Sequence, residues 1–261
     1  MSPRQPHGQN FLIDNNIARN IVAAANIIKS DNIIEVGPGK GILTNILKYL
    51  TDSLTLVEID SALAKRLAEI FTGDATVKVE NIDALNYIFP STPYKIVSNL
   101  PYNVGTAIVQ HFLPDSNWTT AVIMLQKEVA LRLCAAKGNK DYSFISVFCQ
   151  YYANTEILFD VSPNCFNPKP KVMSTVIRLT NKTPQTPNEL FFKFVKHSFS
   201  MRRKTILNCL SSFKELGKPE ALQILITLNL DPLLRPDKLT ISDYIALVSK
   251  VSELQTFLIK L

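Results

Sequence analysis

The four residues Asn99-Leu100-Pro101-Tyr102 follow a short apolar run that predicts a buried strand. They suit chemistry on an amino group of a planar base, which is a poor nucleophile because its lone pair is delocalised into the ring. The side-chain oxygen of Asn99 and the carbonyl of Leu100, held extended by the following proline, could accept hydrogen bonds from that amine and localise its lone pair. The ring of Tyr102 offers a face on which the base can stack. Taken alone, the run also fits a strand end with a proline turn and a core tyrosine.

A glycine-rich turn lies upstream of this run. Residues 33–36 predict a short β-branched strand, and they are followed by Gly37, Gly39 and Gly41. A helical pattern of apolar residues begins at Ile42. A strand, a glycine turn and a helix start together form a cradle for a nucleotide-type ligand, because glycine lets the backbone approach a ligand closely. The spacing differs from that of dinucleotide binders, and the turn lacks the Lys-Ser/Thr pair of triphosphate binders.

Acidic residues follow the next two predicted strands. Glu58 ends the strand predicted from Leu54 to Val57, and Asp83 follows the strand that begins near Val77. A carboxylate at the first of these ends can accept both hydroxyl protons of a ribose. Ligand-binding residues at successive strand ends indicate a doubly wound α/β sheet with its ligand at the carboxyl edge.

The C-terminal part of the chain has a different pattern. A polar segment with two prolines, residues 180–188, predicts a linker. Four helices are predicted beyond it, at residues 189–199, 204–213, 219–228 and 241–258, and strand signals are weak there. The sequence therefore predicts a Rossmann-like α/β domain over residues 1–184 and a small helical domain over residues 185–261. Within the first domain, an amphipathic helix is predicted over residues 17–28, and residues 144–152 fit either a helix or a strand.

Composition limits the classes of function. The 261 residues are 46% hydrophobic, which argues against disorder, and the net charge of +6 fits a polyanionic partner as well as ordinary surface solubility. The dispersed residues Cys134, Cys149, Cys165 and Cys209 form no C-x-x-C pair, so neither a metal site nor a disulfide framework is expected, and free thiols suit a reducing cytosol. No apolar run is long enough to span a membrane. A cytoplasmic protein is expected, and a monomer, because no exposed apolar stripe is evident.

Taken together, the motifs resemble those of the bacterial-type adenine dimethyltransferases that act on small-subunit ribosomal RNA. The matching segments are residues 8–12, 35–41, 57–60, 99–102, 124–129, 166–172 and 199–205. The resemblance implies a class I methyltransferase fold with S-adenosylmethionine as the methyl donor, and the dispersed cysteines and few histidines predict no metal. It further implies N6,N6-dimethylation of two adjacent adenines in a hairpin loop near the 3′ end of 16S rRNA. The partner would be an immature small ribosomal subunit, whose maturation the protein would assist.

The resemblance also implies roles for individual residues. Those that would hold the cofactor are Asn10, Leu12, Gly37, Gly39, Glu58, Asp83, Ala84 and Asn99. Those that would hold or stack on the target adenine are Asn99, Leu100, Pro101, Tyr102 and Phe166. Those that would contact RNA phosphates are Lys169, Lys171, Arg202, Arg203 and Lys204. Phe166 also fits a loop aromatic packed under its own prolines, and the basic residues also fit a solvated helix end.

Two other functions stay open at this point. The related antibiotic-resistance methyltransferases modify large-subunit rRNA with the same core, but they more often carry isoleucine at the position of Leu100. A non-catalytic rRNA-binding assembly factor could keep the fold without the chemistry. Loss of the chemistry is disfavoured by the presence of Gly37, Glu58, Asp83, Asn99 and Tyr102.

Overall fold

The computed structural model describes residues 10–182 and 188–259. These residues form two compact units, one of residues 10–131 and 152–182 and the other of residues 132–151 and 188–259. The predicted domain boundary, between residues 184 and 185, lies outside the described residues. Residues 132–151 were predicted to belong to the first domain, yet they group with the C-terminal helices.

Aromatic packing explains this difference. The ring of Phe148 lies 4.9 Å from that of Phe192, and the ring of Tyr151 lies 4.8 Å from that of Phe191 (centroid distances). Tyr142 also donates a hydrogen bond from its hydroxyl to the Leu239 carbonyl at 3.3 Å. Aromatic contacts contribute strongly to packing, and these connect residues 142–151 to the helices of the second unit.

The first unit is built around a seven-stranded sheet. Its strands are β2 (Asn32–Val36), β3 (Ser53–Glu58), β4 (Val77–Asn81), β5 (Tyr94–Asn99), β6 (Trp118–Gln126), β7 (Ala153–Val161) and β9 (Ser174–Asn181). A separate two-stranded sheet pairs β1 (Phe11–Leu12) with β8 (Phe166–Asn167). The helices between the strands are α1 (Asn15–Ala23), α2 (Thr44–Leu47), α3 (Ser61–Ile70), α4 (Gly105–Phe112) and α5 (Lys127–Cys134), the last of which ends in the second unit.

The strand order of the large sheet is β4-β3-β2-β5-β6-β9-β7. The first five strands run parallel, whereas β9 pairs antiparallel with both β6 and β7. The chain proceeds outward from β2 to β4 and then returns to place β5 on the other side of β2. The junction of β2 and β5 is therefore the topological switch point, where open α/β sheets bind their ligands at the carboxyl ends of the strands.

Buried apolar residues and local caps explain the elements around this junction. Ile33 and Ile34 in β2 and Ile96 in β5 are buried, as expected for strands covered on both faces. Helix α1 begins where the Asp14 side chain accepts hydrogen bonds from two backbone N–H groups. This helix ends at Ala23, before the predicted end at residue 28, and Asn26 adopts a left-handed backbone with φ of 46°.

The second unit is helical. Its helices are α6 (Phe144–Tyr152), α7 (Glu189–Ser200), α8 (Ile206–Ser211), α9 (Lys218–Thr227) and α10 (Ile241–Ile259). They confirm the four helices predicted in the C-terminal part, and the ambiguous segment 144–152 is a helix. Phe194 lies at the centre of this unit, with its ring 5.0 Å from that of Phe213 and 5.9 Å from that of Tyr244.

Candidate active site

One cavity of the first unit lies at the carboxyl ends of β2, β3 and β5. The predicted cofactor and target-amine residues that line it are Asn10, Leu12, Gly37, Gly39, Glu58, Asp83, Ala84, Asn99, Leu100, Pro101 and Tyr102. These residues come from separate strand ends and from β1, and the switch point of the sheet brings them together. Of the residues predicted to bind the cofactor or the target base, Phe166 alone is not among those that line the cavity.

The glycine turn forms part of the cavity wall. Gly37 and Gly39 have left-handed backbones, with φ of 67° and 57°. The N–H of Gly37 donates to the Val57 carbonyl at 2.9 Å, and the N–H of Gly39 donates to Glu58 Oε2 at 3.0 Å. A Cβ atom on Gly39 would lie 3.0 Å from the ring of Phe11. The turn therefore requires glycine both for its backbone conformation and for the space it leaves.

Glu58 is held in a fixed position beside this turn. It is only 2% exposed, and its Oε1 accepts a hydrogen bond from the Asp60 N–H at 3.0 Å while Oε2 accepts from Gly39. Burial raises the pKa of Glu58, and the two backbone N–H groups oppose that rise by stabilising the charged form. Each carboxylate oxygen can accept a second hydrogen bond, so the group can still bind a hydroxyl of a ligand.

Glu35, at the end of β2, is a second buried carboxyl group that lines the cavity. Thr44 donates a hydrogen bond from its hydroxyl to Glu35 Oε2 at 2.7 Å. Burial raises the pKa of Glu35 to about 8, and the nearby charge of Glu58 adds to the rise. Glu35 is therefore mostly protonated at neutral pH, a property that its position before the glycine turn does not reveal.

Asn99 presents an unsatisfied acceptor at the cavity. Its Oδ1 atom is buried and, among the described residues, has no hydrogen-bond partner. The strand end that carries it is fixed, because the Ser98 hydroxyl accepts a hydrogen bond from the Val36 N–H at 2.8 Å and the Leu100 N–H donates to the Met124 carbonyl at 3.1 Å. A buried acceptor without a donor costs about 1–3 kcal/mol, so this site favours a ligand that brings an N–H group.

The ring of Tyr102, which lines the cavity, contacts a second aromatic ring. The Tyr102 hydroxyl lies 2.5 Å from the Ser174 Oγ atom, and burial raises the pKa of Tyr102. The Tyr102 and Phe166 rings have their centroids 6.4 Å apart with an interplanar angle of 64°. Phe166 is 3% exposed and faces Leu12 across the β1–β8 pair. A base enclosed between both ring faces needs nearly parallel rings, so one ring would have to turn to accommodate it.

The basic residues predicted to contact RNA lie outside the cavity. Lys169 and Lys171 are exposed in the loop after β8, and Arg203 and Lys204 are exposed in the turn after α7. Arg202, in the same turn, donates a hydrogen bond to the Lys140 carbonyl at 2.6 Å within the second unit. Exposure is compatible with phosphate contact, and the RNA-binding role of these residues stays a prediction.

Several residues of the site were not predicted from the sequence. Lys40 lies over the ring of Phe11 at 4.8 Å from its centroid, and both residues line the cavity. Ile59 lines the cavity with 48% of its surface exposed. The position of Phe11 in a matching motif could have identified it, whereas Ser174 gave no signal because 72 residues separate it from Tyr102.

The described residues contain neither a metal-binding cluster nor a membrane-spanning helix. No group of three or more His, Cys, Asp and Glu side chains in residues 10–182 and 188–259 is arranged to hold a metal ion. Within the same residues, no helix combines the length and the apolar character needed to cross a membrane. The absence of a metal from the reaction stays a prediction.

Known proteins resemble this chain along most of its length. Residues 2–250 match the family model described as ribosomal RNA adenine dimethylase. A protein of Alkaliphilus oremlandii named ribosomal RNA small subunit methyltransferase A is 43% identical over 260 residues, which cover 94% of this chain and 91% of the relative. A protein of the same name from Coxiella burnetii is 38% identical over 254 residues, covering 94% and 96%.

Solved structures share the fold. A dimethyladenosine transferase from Plasmodium falciparum superposes with a TM-score of 0.84 at 24% identity, covering 93% of this chain and 98% of the other. The 23S rRNA methyltransferase ErmE superposes with a TM-score of 0.74 at 24% identity, covering 93% and 100%. These likenesses confirm the predicted Rossmann-like class I methyltransferase fold.

Proposed function

Because the chain belongs to the ribosomal RNA adenine dimethylase family, whose members are S-adenosylmethionine-dependent methyltransferases, we propose that it dimethylates adenine in small-subunit rRNA. The target is N6 of two adjacent adenines in a hairpin loop near the 3′ end of 16S rRNA. The substrate is an immature small subunit in the cytoplasm, the modification is a step in subunit maturation, and the enzyme acts as a monomer.

The observation that carries this proposal is the buried, unpartnered Oδ1 atom of Asn99. An adenine amino group has two N–H bonds, and Asn99 can accept one of them. The Leu100 carbonyl, which follows an N–H group bonded to the Met124 carbonyl of β6, is positioned in sequence to accept the other. Two acceptors favour a tetrahedral nitrogen and localise its lone pair, so their contribution is largest in the transition state.

The residues of the cavity also fit the cofactor. A side chain on Gly39 would press on the ring of Phe11, which lines the same cavity, and the Glu58 carboxylate has free lone pairs for ribose hydroxyls. Asp83 accepts a hydrogen bond from the Leu85 N–H at 2.9 Å and retains a second carboxylate oxygen for the amino group of a purine. When bound, S-adenosylmethionine supplies an electrophilic methyl group on a positively charged sulfur.

The reaction also requires that the target base is held in place and that its nitrogen loses a proton. Tyr102 stacks on the flipped adenine and holds it against Asn99. The amine needs no general base before it attacks, because its N–H becomes acidic only as the methyl group bonds to nitrogen. The exposed cations Lys169, Lys171 and Arg203 would bind phosphates of a folded RNA, and their binding should weaken steeply as salt rises.

Primer extension on small-subunit rRNA tests the proposal. Undermethylated small subunits are incubated with S-adenosylmethionine and either the wild-type protein or Asn99→Ala, and the rRNA is then reverse-transcribed. Dimethylated adenines lack a Watson–Crick amino donor, so the wild type should produce two adjacent stops that Asn99→Ala does not. Stops that appear only in large-subunit rRNA would favour the antibiotic-resistance class. Subunit binding with no stop in either rRNA would favour a non-catalytic assembly factor.

The form of the substrate has its own test. The predicted phosphate contacts are spread over a loop of the first unit and a turn of the second, which suits recognition of a shaped RNA. An undermethylated subunit should therefore be methylated much faster than an oligonucleotide that carries only the hairpin loop. Equal rates would contradict the immature subunit as the substrate.

A further inference from the structure

We propose that Ser174 is a positioning residue, which holds the ring of Tyr102 in the place where it stacks on the target adenine. This inference rests on the proposed function, because it concerns how the target base is held. The Ser174 Oγ atom lies 2.5 Å from the Tyr102 hydroxyl oxygen. The contact lies at the end of the tyrosine ring that is farthest from its backbone, so it limits how far the ring can swing about the Cα–Cβ bond.

Ser174 is a rigid anchor. It is the first residue of β9 and is fully buried. It faces Gln126 of β6 on one side and Val161 of β7 on the other, so its backbone is fixed by two neighbouring strands. On such a backbone the Oγ atom has only the three staggered positions of one torsion, and in the observed one it contacts the Tyr102 hydroxyl.

The other end of Tyr102 is also fixed. The carbonyl of the preceding Pro101 accepts hydrogen bonds from the Val104 N–H at 3.3 Å and the Gly105 N–H at 2.8 Å, which closes the turn into helix α4. With the backbone held by the turn and the hydroxyl held by Ser174, the ring cannot swing about the Cα–Cβ bond, whereas rotation about the Cβ–Cγ bond leaves the hydroxyl oxygen in place and lets the ring plane adjust to a base. Loss of the hydroxyl bond would free the ring to swing toward Phe166, whose ring already contacts it edge-on.

The neighbouring residue Thr175 supplies a matched control. Successive residues of a strand point to opposite faces of the sheet, so Thr175 is as buried as Ser174 but does not bond to Tyr102. Its hydroxyl instead donates to Asp160 Oδ1 at 2.6 Å. Replacement of this hydroxyl perturbs the same strand at a comparable depth without affecting the tyrosine.

The experiment compares Ser174→Ala, Tyr102→Phe, the double variant and Thr175→Val with the wild type. It measures kcat and KM on undermethylated subunits, S-adenosylmethionine affinity by calorimetry, and the fluorescence of 2-aminopurine placed at a target adenine, which falls when that base stacks. Ser174→Ala and Tyr102→Phe should each lower kcat/KM on the order of ten-fold, mainly through KM, because each removes the same hydrogen bond and stacking exists before the transition state. The double variant should be no worse than either single variant.

The quenching of 2-aminopurine should weaken in the same three variants, with cofactor affinity unchanged and Thr175→Val equal to the wild type. If the wild type methylates, two results would overturn this inference and leave the proposed function standing. One is that the losses of kcat/KM add in the double variant. The other is a normal kcat/KM in Ser174→Ala or Tyr102→Phe. If Ser174→Ala does not fold, Tyr102→Phe tests the inference by itself, because it removes the same hydrogen bond by deleting the tyrosine hydroxyl. A wild type that methylates no rRNA would overturn the proposed function and this inference with it.

Discussion

Replacement of Glu35 by glutamine should change how the stability of the protein depends on pH. Glu35 is 2% exposed, and in the described part of the chain no lysine or arginine pairs with it. Burial and the charge of Glu58 raise the pKa of Glu35 from 4.5 to about 8. The folded protein therefore keeps a proton on Glu35 that the unfolded chain releases above pH of about 4.5.

The sign and the size of the effect follow from this difference in proton binding. Between the two pKa values the folded state binds more protons than the unfolded state, so the free energy of unfolding falls as pH rises. For a difference of one whole proton, the free energy of unfolding falls by about 1.4 kcal/mol per pH unit. From pH 5.5 to 7.5 the wild type should lose about 2.5 kcal/mol through this group, somewhat less than the full slope because Glu35 begins to ionise near pH 7.5. Glutamine keeps an acceptor for Thr44 and cannot ionise, so Glu35→Gln should not show this loss.

Urea unfolding of the ligand-free protein at several pH values measures the effect. Other titrating groups contribute equally to both proteins, so the quantity of interest is the free energy of unfolding of Glu35→Gln minus that of the wild type. This difference should rise by about 2.5 kcal/mol between pH 5.5 and 7.5. The same substitution at the exposed Glu69 should give a difference that stays constant over this range. A constant difference for Glu35→Gln as well would show that Glu35 is ionised in the folded protein, and the reasoning from its burial would be refuted.

Three further predictions concern the cavity and the RNA contacts. Asn99→Ala should lower the single-turnover methylation rate at saturating subunit by orders of magnitude with nearly unchanged subunit affinity, because its bond to the amine matters most in the transition state; equal losses of both would contradict this role. Arg203→Ala should weaken subunit binding and reduce the slope of log affinity against log salt by about one, with the rate at saturation unchanged; an unaltered slope would exclude a phosphate contact. Gly39→Ala should weaken S-adenosylmethionine binding in calorimetry, because its Cβ would contact Phe11 at 3.0 Å, whereas Gly73→Ala, which has a similar left-handed backbone and open space around it, should lose stability alone.

The α/β core could be predicted because its signals are local. The β-branched strand before Gly37, the glycine turn and the acidic residue Glu58 all occur in short segments whose period and composition specify strand, turn and strand end. The grouping of residues 132–151 could not be predicted in this way. It depends on aromatic contacts such as that of Phe148 with Phe192, and residues so far apart in sequence show no periodic relation.

The residues of the site could be predicted from the sequence, but their hydrogen bonds and pKa values could not. Asn99 and Tyr102 were identified from their motif, but the missing partner of the Asn99 oxygen and the bond from Tyr102 to Ser174 exist only in the folded molecule. The raised pKa of Glu35 likewise depends on burial and on the distance to Glu58. The early end of α1 depends on the left-handed backbone of Asn26, which a helical pattern of apolar residues through residue 28 does not indicate.

The position of β9 in the sheet has a consequence for protein synthesis. This strand lies between β6 and β7, although both are translated before it, and β7 joins the large sheet through β9. The same late part of the chain supplies β8, the pairing partner of β1, and Ser174, the anchor of Tyr102. A nascent chain that stops before residue 174 thus has its glycine turn and Asn99 but lacks a completed target-base pocket. An emerging chain should therefore acquire its ability to hold a target adenine only after the first unit is almost entirely translated, well after the cofactor-binding strands are available.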